Sequence, residues 1–279
     1  MSLDGYLKKN EEYMINNYDL DLLIKLNEEW KDHPFQPSAP VYSYDEQIRT
    51  AERRYEALKK KVILSGKRIL EIGGGAGYTA YVIARENPDS EVVCIDIYRN
   101  DQWSYWEDLN MGNFELKVAD LTYENPFNPE EFDLIVSYVA WEHMRHPYEV
   151  MKKAASVLKT EGIFFLYANL YRGPNASHLY RTIFFPWPHL LFDDSIVKQY
   201  ALDHGEEEGF IEKFYNVNKL TFAEYKEYFR ILNLKILEQN RSIYKIDKGF
   251  YERFYDKLSL YPIFDLETKF FSVLLQKNL

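Results

Sequence analysis

Cysteine is almost missing from this chain. One thiol, Cys94, occurs in 279 residues, inside the apolar run EVVCIDIY. That excludes an intramolecular disulfide and argues against a zinc site built on thiolates. Long apolar runs are missing too. The most apolar stretch, GIFFLYANLY, is strand-sized and well short of the ~20 residues a membrane-crossing helix needs. The opening MSLDGYLKKNEEY holds no apolar core of signal-peptide length, so the expectation is a soluble cytoplasmic protein with no membrane partner. No block of five or more like charges occurs, and the net charge is −10. Binding a nucleic-acid backbone requires a basic footprint, so no nucleic-acid partner is expected. Repeats and low-complexity tracts are also absent.

What is present is a 46% hydrophobic chain, ample for a core, of a length that suits one large α/β domain with insertions. Residues 20–30 read as a helix followed by the Pro-rich connector HPFQPSAP. Ser43 followed by Glu46 forms a capping box, and Ile48, Ala51, Tyr55, Leu58 and Val62 then recur at helical spacing. From Arg68 onward, strand and helix patterns alternate. RILEI, EVVCIDI, FELKVA, FDLIVSY and GIFFLYA read as strands. Pro147 opens a helix whose apolar face is Val150, Ala154, Val157 and Leu158, and Gly162 is expected to end it. Nearly continuous apolar strands separated by helices predict a doubly wound parallel sheet. After Asn169 the rhythm breaks into a segment rich in Gly, Pro, His and aromatics, read as an insertion over the ligand-binding edge of the sheet. TFAEYKEYFRILN resumes helical spacing, and LKILEQ and FFSVLLQK read as two closing strands.

The densest local signal is GGGAG at residues 73–77, directly after the first strand. A flexible linker is not wedged between a strand and a helix. A P-loop needs Gly-Lys-Ser/Thr, and here Tyr78 and Thr79 follow Gly77. The dinucleotide fingerprint needs a small residue at position 78, where Tyr78 would obstruct helix–strand packing. What fits is acidic-x-Gly-x-Gly-x-Gly: Glu71, Gly73, Gly75, Gly77. This resembles the first motif of class I S-adenosylmethionine-dependent methyltransferases. The likeness continues in order through Asp96 at the end of VVCID, Asp120 in KVADLTYENPF, and FDLIVSYVAWEHMRHPYEVMKKAASVLKTEGIFFLY. The resemblance implies a Rossmann-like, seven-stranded sheet, mostly parallel with one antiparallel edge strand. It implies four segments: an N-terminal helical part (1–66), a cofactor-binding core (67–170), a substrate or lid insertion (171–220) and a C-terminal completion of the sheet (221–279). It also implies S-adenosylmethionine as cofactor and S-adenosylhomocysteine as product. The cofactor would be held by Glu71, Gly73, Gly75 and Gly77, by Asp96 at the ribose, by Asp120 at the adenine with Leu121 beside it, and by Ile97 and Tyr138.

The acceptor is approached by exclusion. The Asn/Asp-Pro-Pro-Tyr/Phe element of base-amino methyltransferases is replaced by SYVAWEH. The aspartates of metal-dependent catechol-type enzymes are missing although Asn169 is present, so no metal is expected. The paired glutamates of arginine methyltransferases are also missing. SYVAWEHM is similar to the Glu-His element of bacterial small-molecule methyltransferases. His143 is a candidate general base, because an imidazole suits a hydroxyl proton. The alternative is that Glu142 and His143 only cap the turn and brace the cofactor floor. His178 and His189, in the insertion, are candidates to face substrate, or else packing residues. The expected function is methylation of a small polar acceptor, most simply a hydroxyl of a sugar or nucleotide-linked sugar. The alternatives are N- or C-methylation, a non-catalytic binder of the cofactor, and a nicotinamide oxidoreductase, which Tyr78 disfavours.

Overall fold

The computed structural model describes residues 20–36, 43–215 and 217–278. The apolar runs become strands β1 (Arg68–Ile72), β2 (Glu91–Asp96), β3 (Phe114–Val118), β4 (Phe132–Tyr138) and β5 (Leu158–Ala168). Leu234–Ile243 and Thr268–Lys277 follow as β6 and β7. The strand order is β3-β2-β1-β4-β5-β7-β6. β1 to β5 pair in parallel, while β7 runs antiparallel to β5 and carries β6 as its outer neighbour. The order reverses between β1 and β4, and the strand ends at such a reversal leave the crevice in which doubly wound sheets bind ligands.

The chain divides into two compact units. The sheet unit holds residues 43–169, 220–241 and 270–278. Its core includes Leu64, Ile69, Ile83, Val92, Leu134 and Val136, all buried. The helix at Tyr44–Leu58 starts where expected, with the Ser43 hydroxyl accepting from Glu46 N–H. The Glu46 carboxylate turns to Arg49 and Arg53 instead of closing the capping box. The box is complete at Phe222–Ile231, where Thr221 accepts from Glu224 N–H and Glu224 accepts from Thr221 N–H.

Gly162 departs from expectation. The helix that begins at Pro147 ends at Val157, and Gly162 lies inside β5. Phe132 already pairs with Leu158, and the register then shifts before Leu134 meets Ile163. Glu161 takes a left-handed conformation in that interval (φ 61°). A β-bulge thus extends the strand backwards into a stretch whose composition reads as a helix end.

The second unit is helical and holds residues 20–36, 170–215, 217–219 and 242–269. Leu23 and Leu26, on the helix Leu20–Trp30, share a buried core with Ile183, Phe185, Trp187 and Leu191. Asn27 ties the two segments together: its amide donates to Thr182 O at 2.8 Å, and its oxygen accepts from Phe184 N–H at 2.7 Å. Short helices at Asp194–Asp203, Glu208–Phe214 and Lys248–Arg253 complete the unit. Among the described residues no helix is long and apolar enough to cross a membrane.

Thr221→Ala removes one half of the complete capping box, so it should lower the stability of the sheet unit by about 1 kcal/mol. A thermal melt of the two proteins side by side checks this.

Candidate active site

β1 ends at Ile72, and the chain must turn at once into the helix Tyr78–Glu86 (α3, counting Leu20–Trp30 and Tyr44–Leu58 as α1 and α2). The bend is anchored from β2, whose Ile95 carbonyl accepts from both Gly73 N–H (2.9 Å) and Gly74 N–H (3.1 Å). Gly73, Gly75 and Gly77 have φ of 71°, 56° and 82°, the left-handed region that residues with a side chain seldom adopt. At Gly73 the requirement is also steric, because a Cβ there would stand 2.5 Å from the Ala140 Cβ. Gly75 is the opposite case. A Cβ there would meet nothing within 4 Å, so one face of the bend lies bare beside open space.

Asp96 borders that bare face. Its Oδ2 accepts from Gly75 N–H at 2.8 Å and its Oδ1 from Tyr98 N–H at 3.3 Å. Ile97, next in the chain, is 51% exposed. Asp120 forms a local turn after β3, its Oδ1 accepting from Thr122 N–H at 2.7 Å, and Leu121 beside it is buried. Glu71 lies beneath the bend rather than on it. It is buried, and its Oε2 accepts from Ala80 N–H at 2.8 Å, joining the strand end to the first turn of α3. Burial pushes its carboxyl up from 4.5 to about 7, against the pull of the Arg54 guanidinium and the Ala80 N–H.

Two further residues hold the bend, and the sequence reading passed over both. Trp103 and Trp106 stand three residues apart on the short helix Gln102–Asp108, α4. Their indole N–H groups donate to Gly75 O at 2.8 Å and to Ala76 O at 2.7 Å. Tyr81 stacks on Trp106 with ring centroids 4.1 Å apart. The signal was QWSYWED: two indoles at helical spacing, shortly after the acid of the second strand.

At the end of β4, Tyr138 is buried with the Arg54 guanidinium 4.9 Å from its ring centroid, and burial pushes its phenol well above the usual range. Val139 follows with φ 53°, a strained state for a β-branched residue, held by donation from its N–H to Tyr167 O at 2.7 Å. The chain then makes a 3₁₀ turn, Trp141–His143. Glu142 is fully buried, and burial pushes its carboxyl up from 4.5 to about 8 against the nearby N–H groups of Glu142 and Asn169. His143 is half-buried, and a ring nitrogen lies within 4.8 Å of a Glu142 carboxylate oxygen. Asn169 follows β5 directly and is buried.

His178 and His189 belong to the helical unit. His178 takes φ 58° and its Nδ1 lies 3.0 Å from Ala176 O. His189 Nε2 lies 2.6 Å from Tyr171 O. Burial lowers both imidazoles from 6.5 to about 4, so each is neutral at pH 7. The structure therefore gathers Glu71, the glycines, Asp96, Tyr138 and the Glu142–His143 turn in the sheet unit, and places the other two histidines in the helical unit.

Residues 70–166 match the family model described as "Methyltransferase domain". They are a class I S-adenosylmethionine-dependent methyltransferase domain. Its cofactor is S-adenosylmethionine, and the bare left-handed bend at Gly75 beside Asp96 fits such a ligand, since a side chain there would occupy the space. N-methyltransferase 4 of Papaver somniferum is 29% identical over 42% of this chain and 33% of its own length. Ubiquinone biosynthesis O-methyltransferase of Xylella fastidiosa is 26% identical over 53% of this chain and 57% of its own. The chain thus spans less than two thirds of either relative. A putative sarcosine dimethylglycine methyltransferase from Galdieria sulphuraria shares the fold of the methyltransferase domain, with a TM-score of 0.54 at 16% identity over 87% of this chain and 94% of that one.

Trp103→Phe keeps the aromatic ring but removes the donor to Gly75 O. It should weaken S-adenosylmethionine binding roughly fivefold, read by calorimetry. Glu71 predicts a pH effect. An acid whose pKa rises on folding keeps its proton in the native state, so stability falls as pH climbs from 4.5 to about 7. Glu71→Gln retains an acceptor for Ala80 N–H without that liability. Its melting temperature should exceed the wild type's at pH 8, and the gap should close towards pH 4.5.

Proposed function

We propose that the chain transfers the methyl group of S-adenosylmethionine to a hydroxyl of a small polar acceptor, a sugar or nucleotide-linked sugar. S-adenosylhomocysteine is the co-product. The observation that carries this reading is the bare bend at Gly75, open on one side and bordered by Asp96. When bound there, the cofactor supplies a methyl group already activated on a sulfonium. The chain's own residues orient the partners and remove a proton. In this reading Gly73, Gly75 and Gly77 present main chain to the cofactor, and Asp96 with Ile97 receives its ribose. Asp120 and Leu121 lie along the adenine, and Tyr138 closes the floor at β4. Glu71 acts from below, by fixing the start of α3.

His143 is the proposed base. It stands on the turn after β4, and it takes the proton of the acceptor hydroxyl as the new carbon–oxygen bond forms. His178 and His189 are weaker candidates for proton transfer, because burial leaves each a poor base near pH 7. An acidic chain of net charge −10 favours a small metabolite over RNA, and the cytoplasm is the compartment proposed. N-methylation is the second reading, favoured by the relative named N-methyltransferase 4.

Asp96→Ala should reduce S-adenosylmethionine affinity at least about tenfold by calorimetry. An unchanged affinity sinks the cofactor assignment. NADH should leave the melting temperature where it was, while S-adenosylhomocysteine raises it. With cofactor bound normally, His143→Ala should cut turnover roughly 100-fold or more. Undiminished turnover removes the histidine from the mechanism.

A further inference from the structure

Buried polar side chains in the sheet unit generally find a partner. Ser90 donates to Leu64 O, Ser137 to Ile72 O and Asn87 to Ile83 O. The pattern fails at the ends of β4 and β5. Both carboxyl oxygens of Glu142 are buried without a hydrogen-bond partner of normal geometry among the described residues, and so are the amide nitrogen and oxygen of Asn169. The Tyr138 hydroxyl nearby is in the same condition. Glu142 is 0% exposed and Asn169 1%. The two are neighbours, since the Asn169 main-chain N–H faces the Glu142 carboxyl. A buried polar group left unbonded is expensive, and a carboxyl and a carboxamide on neighbouring residues in that state call for a ligand or ordered water.

The chemistry of the two groups selects among ligands. Burial raises Glu142 to about 8, so it enters neutral solution as the uncharged acid, with one O–H donor and acceptor capacity to spare. Asn169 adds N–H donors and a carbonyl acceptor. Donors and acceptors are therefore both on offer. An ammonium group brings donors only and leaves the Asn169 N–H unbonded. A carboxylate or phosphate brings acceptors only and leaves the Asn169 oxygen unbonded. A hydroxyl brings both.

We propose that Glu142 and Asn169 bind adjacent hydroxyls of a neutral polyol, and so read the methyl acceptor at the ends of β4 and β5. The proposal rests on the hydroxyl-methylation reading and gives it a substrate class: a diol-bearing ring or chain, uncharged where these two residues touch it. His143, on the same turn, serves the reacting hydroxyl, while Glu142 and Asn169 hold its neighbours.

The test begins with the whole chain, S-adenosylmethionine and two sets of probes. Methyl β-D-glucopyranoside, methyl α-L-rhamnopyranoside and myo-inositol are the polyols; sarcosine and ethanolamine are the amines. Release of S-adenosylhomocysteine is measured, along with saturation-transfer NMR for binding. Methylation or saturable binding of a polyol is expected. Glu142→Ala and Asn169→Ala should then each raise the KM or Kd for that polyol about tenfold or more, with S-adenosylmethionine affinity held within about twofold. Glu142→Gln keeps one donor and one acceptor, so it should restore most of the loss. A purely structural role for Glu142 would instead move cofactor affinity and melting temperature with the polyol constant. If one variant does not fold, the other carries the measurement. A polyol handled with unchanged constants in both alanine variants overturns this assignment and leaves hydroxyl methylation standing. So does Glu142→Gln behaving as badly as Glu142→Ala. Turnover of the amines alone, or no binding of any polyol, overturns hydroxyl methylation and this assignment with it.

Discussion

A single buried contact, Glu71 Oε2 with Ala80 N–H, sets the geometry on which the rest of the site depends. It fastens the end of β1 to the first turn of α3, and the intervening residues must cross that fixed span in a tight bend. The bend is possible because glycine can take the left-handed conformations it requires. It is definite because the Ile95 carbonyl, the Asp96 carboxylate and two indoles bond its main chain. Glycine supplies the permission and the hydrogen bonds remove the freedom. The result is preorganised main chain with one face left open, and preorganisation lowers the ordering cost that binding would otherwise meet.

The same economy explains how the acids differ. Asp96 stays at the half-buried rim, where its carboxylate accepts from two main-chain N–H groups. Glu71 and Glu142 are enclosed, and burial lifts both towards neutrality. Acids of similar intrinsic strength thus have different tasks: one on the rim of the bend, one as an internal brace, and one at the ends of β4 and β5.

Much of this frame can be read from residues. RILEI and FDLIVSY become strands with the expected limits, and residues 20–30 become a helix, because their apolar periodicity and their flanking turn residues agree. The glycine cluster marks the bend for the same reason. The misreadings have local causes. Gly162 is a stop signal in isolation, yet cross-strand pairing from Phe132 draws Leu158 into the sheet and makes the glycine part of a bulge. QWSYWED is too short and too aromatic to show an amphipathic face, so the helix that carries the two indole donors does not announce itself. Residues 170–219 lack clean periodicity because their helices are short and are buried against α1 and residues 242–269, sequence neighbours of neither. Glu142 and Asn169 show nothing in sequence beyond their residue types, since an unsatisfied hydrogen bond is a property of three-dimensional surroundings.

The seat of the Ala140 methyl against the hydrogen-only face of Gly73 has a consequence for biosynthesis. A ribosome delivers β1, β2 and β3 well before β4, so a nascent chain holds the glycines, Asp96 and both indoles while the surface that closes on Gly73 has yet to emerge. The Gly73 face of the bend is therefore the last to be walled in, covered only once β4 pairs beside β1.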